Sequence, residues 1–357
     1  MWKRVLKMFV GLYLPLVALS LFVFATQKTK QINTLSEFQK RDVEIKKNYF
    51  LEQCNTLLAD THYWANLEYP VNFDPMGKHT AFMDRYIELI KEITDYDQFR
   101  FIDLKGQELY RAVRNNEDSI TIGNLQNKEN QQYVKEGLAL NKDQLYLSQI
   151  SLNREHGIVE KPNKPVIRAV APIYDTTETR IGLVVINFKM KRVLDQLKSK
   201  VADTELYLLD ENHRLISSSV HEEDLPYEIG KVDDIFPNGL LSDFKGITKD
   251  STIIDDDHIW RLQPMILNGT KNSFGSTSKK SSEIITPSNW YMIIEIPPRL
   301  IKRYLEPLYD SLIMFNIITI VGLLAFCYVF QKKKTQKELF YKELESKNIM
   351  LTRNSDL

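Results

Sequence analysis

Two cysteines in 357 residues leave no basis for a disulfide framework. Cys54 lies in the long middle of the chain and Cys327 inside an apolar run near the C-terminus. If that run crosses a bilayer, the two thiols cannot meet, and Cys54 reads as a buried thiol rather than a reactive one. Histidine is scarce too: six residues, scattered without paired spacing, so neither a metal centre nor any other cofactor is expected. Net charge is absent, since 47 Lys and Arg balance 47 Asp and Glu. A nucleic-acid partner would require a basic surplus, so none is expected. Catalytic signatures are also missing: no Gly-rich phosphate loop, no His-Glu-x-x-His, no Gly-x-Ser-x-Gly, no kinase or cyclase motif. No enzymatic activity is therefore expected within this chain. The run Asp255-Asp256-Asp257 lacks the alternate spacing of a calcium loop and reads as a polar turn.

Long apolar runs, by contrast, are present twice. Val5 to Ala25 is almost wholly apolar and is flanked by Lys3, Arg4 and Lys7 on one side and Lys28 and Lys30 on the other. A helix needs about 20 such residues to cross the hydrocarbon core, and Pro15 is tolerable there. Leu312 to Phe330 is similar, ends in Gln331-Lys332-Lys333-Lys334, and has Asn316 as its strongly polar interior residue, expected to face a neighbouring helix. The positive-inside bias puts both basic flanks, and so both termini, in the cytoplasm, and the stretch between the spans outside. The first run also admits a second reading as a signal peptide cleaved near Val23-Phe24-Ala25, under which the middle is exported all the same.

Gln27 to about Leu67 lacks Gly and Pro and carries Ile32, Leu35, Phe38, Val43, Ile45, Phe50, Leu57 and Leu58, the pattern of one long helix. Breaks at Tyr69-Pro70 and Asp74-Pro75-Met76-Gly77 precede a second helix, His79 to Ile93. The period then changes. Strands are expected at Gln98–Asp103 and Glu108–Val113 around a Leu104-Lys105-Gly106 turn, a helix at Glu129–Leu140, and a strand near Gln144–Ser148. Ser151 to Pro165 reads as loop, and Val166–Ile173 with Ile181–Phe188 as a hairpin. A connecting helix, Met190–Lys200, leads into a second set of strands: Thr204–Asp210, Arg214–Ser218, His258–Leu267 (its later half demoted by Pro264) and Trp290–Ile296. Lys271 to Ser282 reads as a solvated hairpin tip. The order is that of an α+β protein: a long N-terminal helix with two antiparallel-sheet lobes, flanked by two transmembrane helices.

Several stretches carry a family resemblance. They are Tyr96-Asp97-Gln98-Phe99-Arg100-Phe101-Ile102-Asp103 with Gly106, Glu108 and Arg111; Leu125-Gln126-Asn127-Lys128 leading to Tyr133; Ser148 through Asn153-Arg154-Glu155-His156-Gly157 to Lys164-Pro165-Val166-Ile167-Arg168; and the hairpin Pro172–Asp175 to Ile181–Val185. Over about residues 30 to 300 the chain resembles the extracytoplasmic double Cache sensor domains of bacterial histidine kinases, diguanylate cyclases and chemoreceptors. The resemblance implies two PAS-like lobes on a long helix, with a small ligand in the membrane-distal lobe. It implies the division 1–7 cytoplasmic, 8–27 first span, 28–75 stalk helix, 76–190 distal lobe, 191–300 proximal lobe, 308–330 second span and 331–357 cytoplasmic signalling helix. Relatives often carry Arg-Tyr-Tyr-Phe where this chain has Gln131-Gln132-Tyr133-Val134, and Pro-Leu-Asp where it has Gln149-Ile150-Ser151.

Strand alternation puts Gln98, Arg100 and Ile102 on one face and Phe99 with Phe101 on the other; Val166, Arg168 and Val170 share a face of a later strand. An arginine projecting from a sheet offers a fork of donors for a carboxylate or phosphate. Arg100 and Arg168 are therefore the first ligand-binding candidates, with Tyr133, Asn153 and Lys164 as wall or lid contacts and Arg111 beside them. Each also has a structural reading, in which Arg100 and Arg111 pair with Glu108 and Asp103 across the hairpin and Lys164 is solvated. In the tail, Tyr341, Leu344, Asn348 and Leu351 fit a and d positions of a short coil. The expectation is a two-pass inner-membrane receptor, homodimeric, that senses a small molecule and signals by helix movement to a cytoplasmic output domain or partner protein. Two alternatives stay open: the sensory half of a diguanylate cyclase or histidine kinase, and a membrane subunit that docks a partner without any small ligand.

Overall fold

The computed structural model describes residues 2–355 except 79, 116–118, 156, 200–202, 232–248, 255–257 and 275–280. The run Asp255-Asp256-Asp257, His156, Lys200, the hairpin tip at 275–280 and the side chain of Leu351 lie outside the described residues. The chain forms two compact units, Gln39–Pro297 and a helical unit made of Met1–Phe38 with Pro298–Leu357.

The helical unit holds the first part of helix α1 (Trp2–Ala65) and a C-terminal helix (Pro298–Ser355), both long and apolar enough to cross a membrane. Asn316 does face a neighbouring helix. It accepts a hydrogen bond from Tyr13 Oη at 3.3 Å and donates to Ser20 Oγ at 3.5 Å. An amide in an apolar helix needs such partners, so it marks the seam between the two helices. Tyr341 and Leu344, apolar heptad positions of the tail, are exposed.

In the larger unit α1 continues from Gln39 to Ala65 as one helix, because nothing in that stretch breaks it. Val43, Phe50, Cys54, Leu57 and Leu58 form its buried stripe, and burial pushes the Cys54 thiol up to about 12. Helix α2 (Thr80–Glu92) buries Met83, Tyr86 and Ile90 on the same side. Both pack against one face of a sheet that begins with β1 (Tyr96–Ile102), where the Tyr86 and Phe99 rings stack at 3.7 Å.

The chain then runs through β2 (Glu108–Arg114), β3 (Ile120–Ile122), α3 (Gln132–Ala139), β4 (Gln144–Leu147), β5 (Ser151–Leu152), the ribbon β6 (Arg154–Glu155) and β7 (Ile158–Val159), β8 (Pro165–Tyr174) and β9 (Arg180–Lys189). The stretch expected to be a loop therefore holds three short strands; at two residues each they are too brief for any periodicity to show. Helix α3 begins at Gln132 rather than Glu129, because residues 128–131 close a turn from Gln131 N–H to the Lys128 carbonyl. After α4 (Lys191–Lys198) come β10 (Glu205–Leu209), β11 (Leu215–Ser218), β12 (Ser251–Ile254), β13 (Ile259–Ile266), β14 (Lys271–Asn272), β15 (Ser282–Ile285), β16 (Asn289–Ile296) and the C-terminal helix, α5.

The first sheet has the order β14-β15-β4-β8-β9-β1-β2-β3, with β5 beside β8; the second has the order β11-β10-β16-β13-β12. One exchange leaves no local pattern in the sequence: β15 returns from the second half of the chain and lies parallel to β4, with Glu283, Ile284 and Ile285 opposite Gln144, Leu145 and Tyr146. Strand β13 passes straight through Pro264, which sits beyond the part covered by β12, so its missing N–H interrupts no pairing on that side. A single apolar core joins α1 to both sheets, through Phe99, Phe101 and Ile186 of the first and Leu206, Met292 and Ile294 of the second. Gln39 adds a polar tie, donating from Nε2 to the carbonyls of Ile259 (3.1 Å) and Ile294 (2.6 Å). The other face of the first sheet is covered by α3, where Ile102, Tyr133, Val134, Tyr146 and Val170 form a smaller cluster. The candidate site lies on that face.

Candidate functional site

Strand β9 separates β1 from β8, and its register aligns Arg168, Asn187 and Gln98 in one row across the sheet, with Arg100 two residues further along β1. Period-2 alternation then turns Arg100 and Arg168 to the α3 face, while Phe99, Phe101, Ile167 and Ala169 join the core under α1. The two arginines meet different surroundings.

Arg100 is enclosed. Its Nε lies 2.9 Å from Glu108 Oε1, Nη1 donates to Asn187 Oδ1 at 3.0 Å, and Nη2 donates to Gln98 Oε1. Arg111 stands directly opposite it on β2, a like-charge pair that needs compensation. Part comes from Glu108 and part from Glu155, which binds Arg111 Nη2 at 2.8 Å. Asp103, expected to pair with Arg111, is instead used by the hairpin turn: its Oδ1 accepts the Lys105 and Gln107 N–H groups, both at 2.8 Å. Gly106, with φ +77, completes that turn where a side chain would strike the Glu129 backbone.

Arg168 has only neutral partners among the described residues. Nη1 donates to Ser151 Oγ and Nη2 to Asn153 Oδ1, both at 3.1 Å, and the guanidinium lies 5.3 Å from the centre of the Tyr133 ring. Burial, with the Arg100 charge adding to it, lowers its pKa. Lys128 is in the same condition: burial first and Arg100 second lower its pKa, and among the described residues its Nζ donates only to Gln126 Oε1, at 2.7 Å. Both cations, with Arg100, Tyr133, Tyr146 and Ser148, line a cavity of about 770 Å³. Gln131, Gln132, Ser151 and Arg154 add polar wall, and Arg214, Tyr227, Glu228 and Pro287 close it from the second lobe.

Of the six residues singled out in the sequence, Arg100, Tyr133 and Arg168 line this cavity. The other three are not among its lining residues. Lys164 is paired with Asp97 (3.0 Å) and Glu160 (2.8 Å), not solvated. Asn153 orients Arg168 and donates to Glu160 Oε2 at 2.8 Å, and Arg111 is held by Glu155. Lys128 and Tyr146 also line the cavity and are not among the six. The first lay within a stretch carrying the resemblance, and the second was hidden in an apolar strand.

Glu155 has a consequence for stability against pH. Burial opposes its ionisation, but the Gln98 hydrogen bond and the charges of Arg111, Arg100 and Lys128 outweigh burial and hold its carboxyl down at about 2. A folded pKa below the unfolded value gives stability that is present above the unfolded pKa and lost as pH falls through the folded one. The stability gap between the native chain and Glu155→Gln should therefore close by on the order of 2–3 kcal/mol between about pH 5 and about pH 2. Urea melts of both proteins across that range check it; a gap independent of pH contradicts the assignment.

Residues 27–225 match the family described as bacterial histidine kinase, sensor domain. No curated protein matches the chain. Among solved structures, the extracellular domain of a protein described as a histidine kinase, vpHK1S-Z8, is 13% identical, with TM-score 0.58, covering 77% of this chain and 95% of that domain. A domain of a sensory box/GGDEF family protein from Vibrio parahaemolyticus is 14% identical, with TM-score 0.58, covering 76% and 99%. The ligand-binding domain of the Campylobacter jejuni chemoreceptor Tlp3, solved with L-valine, is 10% identical, with TM-score 0.51, covering 77% and 97%.

Proposed function

The chain belongs to the family of bacterial histidine kinase sensor domains and has the double Cache fold, and from that premise we propose that it is a membrane receptor for a small anionic molecule bound in the cavity of its first lobe. The observation that carries this reading is Arg168. A half-buried guanidinium with no carboxylate partner among the described residues, lining a cavity beside Lys128, which is likewise unpaired among them, is complementary to an anion. A carboxylate could take two guanidinium donors at once, while the Tyr133 and Tyr146 rings supply an apolar wall for the rest of the molecule. Organic acids belong to this class, amino acids offer the same carboxylate beside an ammonium group, and the Tlp3 domain was solved with L-valine. Gln131 and Gln132 line the cavity where relatives often carry Arg and Tyr, so neutral amides there leave Arg168 and Lys128 as the lining cations without a carboxylate partner among the described residues.

In this reading the receptor sits in the inner membrane as a homodimer, with the sensor unit outside and both termini in the cytoplasm, as the basic flanks favour. The ligand favours one arrangement of the lobes by binding it more tightly than the other. The change leaves through β16 and the start of α5 toward a cytoplasmic output domain or partner protein.

The test is a thermal-shift screen of the detergent-solubilised full chain against amino acids, organic acids, amines and nucleotides. At least one anion should stabilise the native chain, and Arg168→Gln should weaken its binding about 10- to 100-fold, the loss of a charge-assisted hydrogen bond. Stabilisation by amines alone, or an anion that binds Arg168→Gln unchanged, refutes the proposal.

A further inference from the structure

The cavity wall contains one carboxylate among the described residues, and it comes from the other lobe. Glu228 sits in the short 3-10 turn Pro226–Ile229, whose N-terminal end is held to the second lobe. Leu225 before it is buried in the left-handed region, with its N–H on the Ile216 carbonyl at 2.7 Å, and Gly230 after it has φ +77. Tyr227 is fixed beneath the Arg214 guanidinium at 4.3 Å. From this anchored turn Glu228 reaches across to the first lobe with both oxygens. Oε1 accepts the Leu152 N–H at 3.1 Å, and Oε2 accepts from Arg154 Nη2 at 3.0 Å. Leu152 adjoins Ser151, the residue on which Arg168 rests, and the Glu228 charge is among those acting on Arg168.

We propose that Glu228 is a built-in competitor for the ligand: a carboxylate that latches the second lobe to the rim of the cavity and is displaced when an anion seats on Arg168. The proposal rests on the anion-receptor reading above. An anion beside Arg168 and Arg154 shares its cations with Glu228, and two carboxylates drawing on the same cations repel each other. The Arg154 pair is half exposed and weak on its own, so the Leu152 N–H bond, charge-assisted and shielded, is the stronger half of the latch. An entering anion removes Arg154 from Glu228 and raises the cost of keeping the carboxylate at Leu152. Distal binding is thereby converted into release of a second-lobe turn. Because the latch and the ligand exclude each other, each sets the apparent affinity of the other.

The experiment uses the full chain in nanodiscs with inorganic phosphate as the probe anion at constant ionic strength. Glu228→Gln keeps an acceptor for the Leu152 N–H and removes only the charge. It should bind phosphate about tenfold more tightly than the native chain, an effect of the size expected for one nearby like charge. Arg168→Gln should bind it more weakly. In the native chain, phosphate should accelerate deuterium exchange at the Leu152 amide toward the rate seen in Glu228→Ala. If Arg168→Gln weakens phosphate binding but Glu228→Gln binds no more tightly than native, or if phosphate protects Leu152, the competitor is overturned and the receptor reading stands. Phosphate binding that ignores Arg168→Gln, or that is absent from both the native chain and Glu228→Gln, overturns the two together.

Discussion

Replacing Glu108 with leucine will destabilise the sensor unit by about 3–5 kcal/mol, and adding Arg100→Met to the same chain will recover part of that loss. The two side chains are 0% and 2% exposed, so their 2.9 Å ion pair has no water to fall back on. Without Glu108 the Arg100 charge is left buried, directly opposite Arg111 and near Lys128, and repulsion from both adds to the lost attraction. Removing both partners takes the charge away along with its counter-ion. Recovery will stop short by about 1–3 kcal/mol, because Glu108 Oε2 also accepts the Gln126 N–H at 2.8 Å and that donor is left without it. Urea unfolding of the three proteins checks the prediction; a single substitution costing less than about 1 kcal/mol would mean that water reaches the pair. The same series separates wall from hook. Since Arg100 is already paired, the double variant should bind the receptor's anion within a few-fold of the native chain, while Arg168→Gln should not.

That distinction rests on contacts between segments far apart in the chain. Alternation placed Arg100 and Arg168 on the inner face because a strand has a period of two whatever its neighbours. It also separated Phe99 and Phe101, which bury beneath α1, from Gln98 and Arg100. Which arginine was free to bind depended on long-range company. Glu108 was visible across the hairpin and does pair with Arg100. The partner of Arg111 came from Glu155, beyond α3 and β4, while the nearer Asp103 was consumed by backbone N–H groups of its own turn. Of the two acidic partners of Lys164, Asp97 is brought from β1 by the fold, whereas Glu160 lies only four residues before it.

The topology divides in the same way. The long helices were legible from apolar runs and from an absence of Gly and Pro, properties internal to each segment. The parallel return of β15 onto β4 was not, since the pairing joins segments far apart in the chain and Lys271 to Ser282 is polar enough to pass for a solvated tip. The Glu228 contacts escaped for the same reason: nothing within Pro226–Ile229 records that Leu152 and Arg154 lie opposite it.

Trp290→Ala will cost about 3–5 kcal/mol, the other large effect expected. Trp290 is fully buried on β16 and meets Phe50 of α1 edge-on, with ring centres 5.3 Å apart. Truncation forfeits both the burial of an indole and the aromatic contact, and it leaves a void that two anchored elements cannot collapse into. One holds α1, pinned nearby by Gln39; the other is the central strand of the second sheet, paired on both sides with β10 and β13. Trp290→Phe should cost much less, because it keeps a ring against Phe50 and removes an indole N–H that has no hydrogen-bond partner among the described residues. The location of the loss is the sharper test. The contact joins the helix that enters the unit to the last strand before it ends, so Trp290→Ala should lower amide protection together in the α1 turn around Phe50 and in β16, while β1, β8 and β9 keep theirs. Uniform loss across both sheets would show that the core joining them unfolds only as a whole. In that case the second lobe could not move while the first stayed intact, and a receptor that signals by shifting one lobe against the other would need a different hinge.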